Sequence, residues 1–199
     1  MTDWPEEYVH FPQLAAVSER FLLRPIQWSD REKIRDWRNA QIDVLRQAQE
    51  LTVADQDRYF KDVIRPQMSM ATPPQILWGL LEDDTLIGYG GLVHIQWADS
   101  RAEVSFLTDT QRLNSPMFEA DWAVYLSLIV EIATSSLGIH KLTTETYGIR
   151  PDLLAILESF GFQQEGVHPE HHRINERWVT SFSHGLVLNS QVQDSADTR

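Results

Sequence analysis

The order of apolar and polar positions predicts helices early in the chain, preceded and followed by strands. The apolar run 21–26 is typical of a first strand. Residues 28–49 carry apolar side chains at helical spacing, with a break expected near Asn39, and residues 52–68 repeat that spacing. Pro66 lacks a backbone N–H, so it should end or kink the second of these helices.

The middle of the chain changes to the period of strands. Two apolar runs within 76–97 flank an Asp-Asp pair, which predicts a hairpin, and 102–109 supplies a neighbouring strand. We expect three antiparallel strands here. A helical stripe then extends from Ala120 to Leu137, and Gly138 is the residue type that commonly follows a helix.

The last part of the chain returns to strands, with one short helix among them. The patterns predict a strand at 139–148, a helix at 150–160 that Gly161 stops, and two long strands within 162–188 joined near Asn175. The full order is therefore β-α-α-β-β-β-α-β-α-β-β.

Length and composition are those of one folded domain with short additions at its ends. The chain has 199 residues, 42% of them hydrophobic, which is enough to bury a core. We expect the domain at 21–188, an N-terminal extension at 1–20 and a flexible tail at 189–199.

Charge and cysteine content argue against several classes of partner. A formal charge of -12 lacks the basic footprint of a nucleic-acid binder and does not favour an anionic membrane surface. The chain has no cysteine, which excludes thiolate metal sites and disulfides and fits a cytoplasmic location. Its longest apolar stretch, within 122–139, is too polar to span a bilayer.

Four strings occur in the order and at the spacing of a known family. They are LLRPIQWSDREKIRDWRN near the start, DDTLIGYGGLVHI in the hairpin, AEVSFL in the next strand and LESFGFQQEGV near the end. From about Phe21 to Leu188 the chain resembles the GNAT superfamily of N-acetyltransferases, in particular the branch with ribosomal-protein alanine and sugar-nucleotide amine acetyltransferases. The resemblance implies an α+β fold: a mixed, mostly antiparallel twisted sheet of about seven strands, with helices on both faces and splayed fourth and fifth strands.

The resemblance also implies acetyl-coenzyme A (acetyl-CoA) as co-substrate. Its pantetheine arm would lie between the strands at 102–108 and 139–147, bonded to main-chain groups of Val104, Phe106 and Leu107. Side-chain identity matters little for such contacts.

The diphosphate of the co-substrate would lie at the turn into the helix at 118–137, where unpaired N–H groups favour an anion. The Gln/Arg-x-x-Gly-x-Gly/Ala motif of the family is altered there. The residues in its place are Gln111, Arg112, Leu113, Asn114, Ser115 and Pro116. Asn114 is expected to adopt the left-handed conformation of the missing glycine, and Arg112 is the nearby cation. We expect weakened diphosphate binding, and the alternative is a connector that binds nothing.

Acetyl transfer from a thioester to an amine needs a base, and the fourth strand offers one. Glu103 and Ser105 lie on the face that the resemblance assigns to the acceptor, and Glu145 on the next strand is a second carboxylate. The alternative for Glu103 is a salt bridge with Arg101 or Arg150.

Leu157 fills the position at which many relatives carry a tyrosine acid. Tyr147 either replaces that acid or packs against the sheet. Arg150 stands where relatives often carry an asparagine that contacts the cofactor arm. Its candidate partners are the phosphates, an acidic acceptor or the end of the next helix.

The string Trp37-Arg38-Asn39, with Arg46, resembles the sugar-nucleotide branch and would shape an acceptor pocket. The alternative is a core tryptophan beside a solvated arginine.

The histidines do not predict a metal site. On a regular strand His168 and His172 share a face while His171 points away, and no cysteine assists them. His94 and His140 lie in apolar strands, which favours positions in the core.

These features together predict an acetyl-CoA-dependent N-acetyltransferase. Its acceptor would be the primary amine of a small molecule, such as an amino sugar nucleotide, or a peptide amino terminus. The acidic charge favours a basic acceptor, a peptide or a polyamine, whereas the WRN string favours the sugar branch. The alternative is an inactive binding or regulatory module with the same fold. An apolar strip on the last hairpin is compatible with a homodimer.

Overall fold

The structure is a computed structural model whose description covers residues 4–45 and 47–188. The predicted tail at 189–199 and the predicted role of Arg46 lie outside these residues. No helix within them is long and apolar enough to cross a membrane.

One sheet of eight strands forms the centre of the molecule. The strands are β1 (Ala16–Ser18), β2 (Phe21–Pro25), β3 (Ile76–Glu82), β4 (Thr85–Gln96), β5 (Arg101–Thr108), β6 (Lys141–Tyr147), β7 (Gln163–Ile174) and β8 (Arg177–Val187). They lie in the order β1-β2-β3-β4-β5-β6-β8-β7, and β5 pairs with β6 in parallel while the other neighbours pair antiparallel. The α+β fold is confirmed, and the sheet has eight strands rather than about seven because β1 precedes the first predicted strand.

The helices follow the predicted pattern. They are α1 (Arg31–Ala40), α2 (Val53–Tyr59), α3 (Arg65–Gln67), α4 (Met117–Ser135) and α5 (Pro151–Ser159), with a π-helical turn (Phe60–Ile64) between α2 and α3. The break expected near Asn39 is confirmed because α1 ends at Ala40, and α3, which contains Pro66, ends at Gln67.

The apolar stripe of α4 is buried against the sheet as its spacing predicts. Its buried apolar residues are Trp122, Tyr125, Leu126, Leu128, Ile129, Ile132 and Ala133. Each large apolar side chain removed from water in this way contributes about 1.5–3 kcal/mol before the entropy cost of ordering. The stripe fixes α4 across the sheet, with contacts to β1, β2 and β5.

Residues ahead of the predicted domain pack into the same core. Tyr8 and Leu14 are each 1% exposed. The Tyr8 hydroxyl accepts a hydrogen bond from the N–H of Leu77 at 2.9 Å, and Trp78 Nε1 donates to the carbonyl of Leu14 at 2.7 Å. These two hydrogen bonds tie the segment that contains Tyr8 and Leu14 to β3.

Both predicted hairpins turn through residues with positive φ. Asp83 and Asp84 join β3 to β4 with φ of 46° and 64°, and Asn175 and Glu176 join β7 to β8 with φ of 47° and 64°. A turn of two consecutive residues with left-handed backbone conformation matches the twist of the antiparallel strands that it joins. Aspartate and asparagine adopt it at the lowest cost after glycine.

Strands β5 and β6 separate after a short paired stretch. Arg101, Ala102 and Glu103 pair with Lys141, Leu142 and Thr143, and the register ends there. The later residues of both strands therefore keep polar main-chain groups that the other strand does not use. The predicted splay is confirmed.

Candidate active site

A groove of about 480 Å³ occupies the gap between β5 and β6. Its walls come from α1, α3, β4, β5, α4, β6 and α5 together with the segments at 44–45 and 74–75. This volume lies within the range of small-molecule sites. The gap is therefore open to a ligand and is not closed by side chains.

Aromatic side chains close the floor of the groove. Phe106 of β5 stacks on Tyr125 with a centroid distance of 4.0 Å and meets Trp122 edge-on at 5.0 Å. The Tyr125 hydroxyl donates to the carbonyl of Ser105 at 2.9 Å. These contacts fix β5 to α4, and β4 pairs with its other edge, so the diverging half of β5 is held in place without β6.

A glycine lets β4 approach β5 closely beside the groove. A Cβ atom on Gly90 would lie 2.0 Å from the carbonyl oxygen of Ser105 and 2.7 Å from the Cα of Phe106. Both are backbone atoms, so no side-chain rotation relieves the clash. The glycine is therefore required by this packing.

Two buried polar atoms in the groove wall have no partner among the described residues. They are Trp122 Nε1 and Thr144 Oγ1. Buried donors and acceptors in folded proteins are almost always bonded, so two orphans on residues that line the groove fit a ligand with polar groups. A pantetheine arm carries two amides and fits this requirement.

The main-chain contacts expected for the co-substrate divide into two groups. Val104 and Phe106 line the groove, in agreement with their predicted position. Leu107 lies outside the groove wall, opposite Tyr89 of β4. Its contact with the co-substrate stays a prediction.

Most backbone N–H groups of the turn before α4 already donate hydrogen bonds within the turn itself. The N–H groups of Gln111, Arg112, Leu113, Ser115, Met117 and Phe118 all donate to acceptors within residues 109–115. Within 111–118, the N–H of Asn114 is the one that none of the described residues accepts. Diphosphate binding by this turn therefore stays a prediction, supported by fewer donors than expected.

The expectation that Asn114 adopts a left-handed conformation is wrong, since its φ is not positive. Side chains make the turn instead. Asp109 accepts the N–H of Gln111 at 2.9 Å, and Ser115 Oγ donates to the carbonyl of Arg112 at 2.8 Å. A turn closed in this way does not need a glycine.

Arg112 is held by carboxylates. Its Nε and Nη2 each lie 2.6 Å from an oxygen of Asp121, and its Nη1 lies 2.8 Å from Glu82. The hydrogen bonds to Asp121 raise the pKa of Arg112 above its ordinary value. The guanidinium is committed to the fold, and its predicted contact with phosphate stays a prediction.

Arg150 lies where two cavities meet. It lines both the groove and a second cavity of about 290 Å³, whose wall also includes Leu113 and Asn114. The guanidinium of this half-buried residue forms no hydrogen bond or ion pair with residues 4–45 or 47–188. Burial lowers the Arg150 pKa to about 10, so the side chain is still cationic at neutral pH. A buried cation in this state favours an anionic ligand.

The predicted catalytic residues come together in the groove. Glu103, Ser105, Glu145 and Tyr147 all line it. The carboxylate of Glu145 accepts from Ser181 Oγ at 2.7 Å and lies 2.9 Å from His172 Nε2, so it has partners of its own. The catalytic roles of these four residues stay predictions.

Tyr147 is 7% exposed and its ring lies 4.6 Å from the ring of His172. It packs against its neighbours, as the second alternative expected, and it also lines the groove, where its role as the acid stays a prediction. Leu157, at the position of the missing tyrosine, is 0% exposed and forms part of the groove wall.

Sequence reasoning missed His94. The expectation that His94 and His140 are core residues is wrong, since both are exposed. The register of β4 on β5 shifts between Val93 and Gln96, and His94 there has φ of 51°. Such a bulge redirects a side chain, and His94 lines the groove. A left-handed histidine inside a strand gives no signal in the hydrophobic pattern.

Arg38 of α1 also lines the groove. Its Nη1 donates to the Tyr89 hydroxyl at 2.7 Å and its Nε to Gln47 at 2.9 Å. Burial opposes its charge, but the contact with Tyr89 outweighs burial and raises the Arg38 pKa. Trp37 is a core residue as the alternative predicted, whereas Arg38 is a groove residue and not a solvated one.

The fold and the groove define a class of enzyme. A pair of parting parallel strands beside a buried cation suits an extended coenzyme with amides and phosphates, and the nearby carboxylates suit an amine. A family model described as an acetyltransferase (GNAT) domain matches residues 23–182. The chain belongs to this family and is an N-acetyltransferase with acetyl-CoA as co-substrate.

Solved structures share the fold. The spermidine N-acetyltransferase from Vibrio cholerae in complex with CoA and spermine is similar with a TM-score of 0.76 and 15% identity, covering 87% of this chain and 98% of that chain. A dodecameric structure of spermidine N-acetyltransferase from the same organism, in an intermediate state, has a TM-score of 0.72 and 16% identity, covering 90% and 100%. At these identities the likeness shows the fold alone. No curated protein matches this sequence.

Proposed function

We propose that the acceptor is a small cationic amine of the polyamine class. The observation that carries the proposal is the pair of carboxylates, Glu103 and Glu145, in one groove of a chain with formal charge -12. Such a groove concentrates cations by long-range attraction. The similar enzyme from Vibrio cholerae with bound spermine supports the same class.

The proposed reaction divides its proton transfers between two residues. Glu103, directly or through a water molecule, accepts a proton from the ammonium group so that the neutral nitrogen attacks the thioester carbonyl. A C–N bond forms and the C–S bond breaks, and Tyr147 gives its hydroxyl proton to the departing thiolate. The nitrogen releases its second proton as the amide forms, and this proton restores the Tyr147 hydroxyl through water. Both residues line the groove from strands on opposite sides of the gap.

The test of this function is an acceptor screen with detection of the released thiol. Spermidine and spermine are expected to be acetylated, and a neutral amide analogue of the same length should not be. Acetyl-CoA should also raise the melting temperature, because a ligand bound by the folded state alone stabilises it. No melting shift at millimolar acetyl-CoA and no thiol release would favour the inactive module.

An amino sugar nucleotide is the second candidate acceptor. The half-buried guanidinium of Arg38 in the groove favours an anionic group on the acceptor. The screen separates the two candidates, since the Arg38→Ala variant should lose activity on a sugar nucleotide and keep it on spermidine. A peptide amino terminus is a third arm of the same screen.

Replacement of Arg150 by alanine is expected to weaken acetyl-CoA binding by about 10- to 150-fold. The estimate corresponds to the loss of a charge-assisted hydrogen bond worth about 1.5–3 kcal/mol. We infer that Arg150 contacts the diphosphate, since it is buried, cationic and without a partner among the described residues. The measurement is the KM for acetyl-CoA in the wild type and the variant.

The control for this prediction is a donor without phosphates. With S-acetylpantetheine the two proteins should have the same KM, because no phosphate is present for Arg150 to contact. Equal losses on both donors would show that Arg150 shapes the groove and does not bind phosphate. Since the folded-state pKa is about 10, the difference with acetyl-CoA should persist from neutral pH to about pH 9 and shrink above pH 10.

A further inference from the structure

A bulge in β7 brings two neighbouring histidines to one carboxylate. The register of β7 on β8 shifts between His168 and His172, and Glu170 in this stretch has φ of 50°. The strict alternation of side chains is lost at such a bulge. For this reason His171 and His172 both approach the carboxylate of Glu145, although a regular strand would separate them.

The three side chains have the spacing of metal ligands. His172 Nε2 lies 2.9 Å and His171 Nε2 lies 3.9 Å from Glu145 Oε1, and the three candidate ligand atoms lie within 4.8 Å of one another. Donors about 2.1 Å from a tetrahedral ion are separated by roughly 3.4 Å. Small side-chain rotations therefore suffice to place all three around one ion.

A neighbouring side chain orients the carboxylate of Glu145 by a hydrogen bond, as is common for metal ligands. Ser181 Oγ donates to Glu145 Oε1 at 2.7 Å and fixes its orientation. Tyr147 packs its ring against His172 on the groove side. Two of the three candidate ligands are thus held by neighbours before an ion arrives.

The geometry points to a binding site for a late first-row divalent cation of the zinc class, formed by Glu145, His171 and His172. Two imidazoles and one carboxylate suit zinc, nickel or cobalt and do not suit magnesium, which prefers oxygen ligands alone. Three protein ligands leave a position open for water or for a group of a bound molecule. The acidic chain attracts cations toward this site.

The site is coupled to the groove through Glu145, which belongs to both. A bound ion neutralises this carboxylate and removes one of the two charges that attract the acceptor. Zinc is therefore expected to inhibit acetylation of cationic amines. This consequence rests on the proposed function, whereas zinc binding does not.

Calorimetric titration of the metal-free full chain with zinc tests the binding. One ion per chain is expected to bind, and the double variant His171→Ala with His172→Ala is expected to bind roughly 100-fold more weakly. The matched control is His140→Ala, which removes an exposed histidine outside the cluster and should bind as the wild type does. Magnesium in excess should not compete.

Further variants keep the test decisive if the double variant is unstable. His171 has a side chain that is 52% exposed, so the single variant His171→Ala should fold and still lose affinity. It should also retain acetylation while losing zinc inhibition. Equal zinc affinity in the wild type and His171→Ala, or no zinc binding by the wild type, would overturn the proposal whether or not the chain proves active.

Discussion

The Glu103→Gln variant is expected to acetylate spermidine about 100- to 10,000-fold more slowly than the wild type, the range typical for loss of a general base. The amide keeps the size and hydrogen-bonding reach of the side chain but cannot accept the proton. Glu103 lies at the last residue pair of β5 and β6, where the groove begins. Turnover should be measured at saturating acetyl-CoA and acceptor.

Two neighbours serve as controls for this variant. Ser105→Ala and His94→Ala remove groove side chains from the same region, and each should reduce turnover much less if Glu103 is the base. The KM for acetyl-CoA should stay constant in all three, because the co-substrate is bound by other groups. Unchanged turnover in Glu103→Gln would eliminate Glu103 as the base, and a larger loss in His94→Ala would transfer the role to the histidine.

The Asp121→Asn variant is expected to lose about 3–5 kcal/mol of its unfolding free energy, the usual cost of leaving one partner of a buried ion pair alone. The side chain of Asp121 is 0% exposed and receives two bonds of 2.6 Å from Arg112 and one of 3.1 Å from Thr108. Its replacement leaves the Arg112 charge with Glu82 alone. Denaturant unfolding measures the loss.

A double variant tests whether the loss of stability comes from breaking the ion pair between Arg112 and Asp121. Arg112→Met alone should also destabilise the protein, whereas Arg112→Met combined with Asp121→Leu should recover much of the loss, because an apolar pair replaces a charged pair. Additive losses in the double variant would contradict this account. The Glu82→Gln variant should have a smaller effect than Asp121→Asn, since Arg112 keeps both of its bonds to Asp121 and the other partner of Glu82, Arg20, is a surface residue.

The fold was predictable because its elements have strong local signals. The stripe of α4 needs only the 3.6-residue period, and the pairs Asp83-Asp84 and Asn175-Glu176 are residue types that enter hairpin turns at low cost. β1 was missed because a strand of three residues, Ala16–Ser18, has too short a pattern to be recognised. Its position in the sheet comes from pairing with β2.

The candidate site was predictable in part. Strand alternation places Glu103 and Ser105 in the groove, and the diverging strands place Glu145 and Tyr147 across from them. The partners of Arg112 were not predictable, because Glu82 is 30 residues away in sequence on β3 and Asp121 lies on α4, beyond the turn that carries Arg112. A charged residue near a turn has the same sequence pattern whether it binds phosphate or a buried carboxylate.

Hydrophobic periodicity was enough to derive the succession of strands and helices, and the resemblance carried by four strings supplied the family and the expectation of a groove between β5 and β6. The folded arrangement was needed to show that, among the described residues, Arg150 rather than Arg112 remains available as a cation, and to place His94 and the pair His171 and His172. Ion pairing and bulges depend on contacts between distant segments. A period read along the chain contains no information about those contacts.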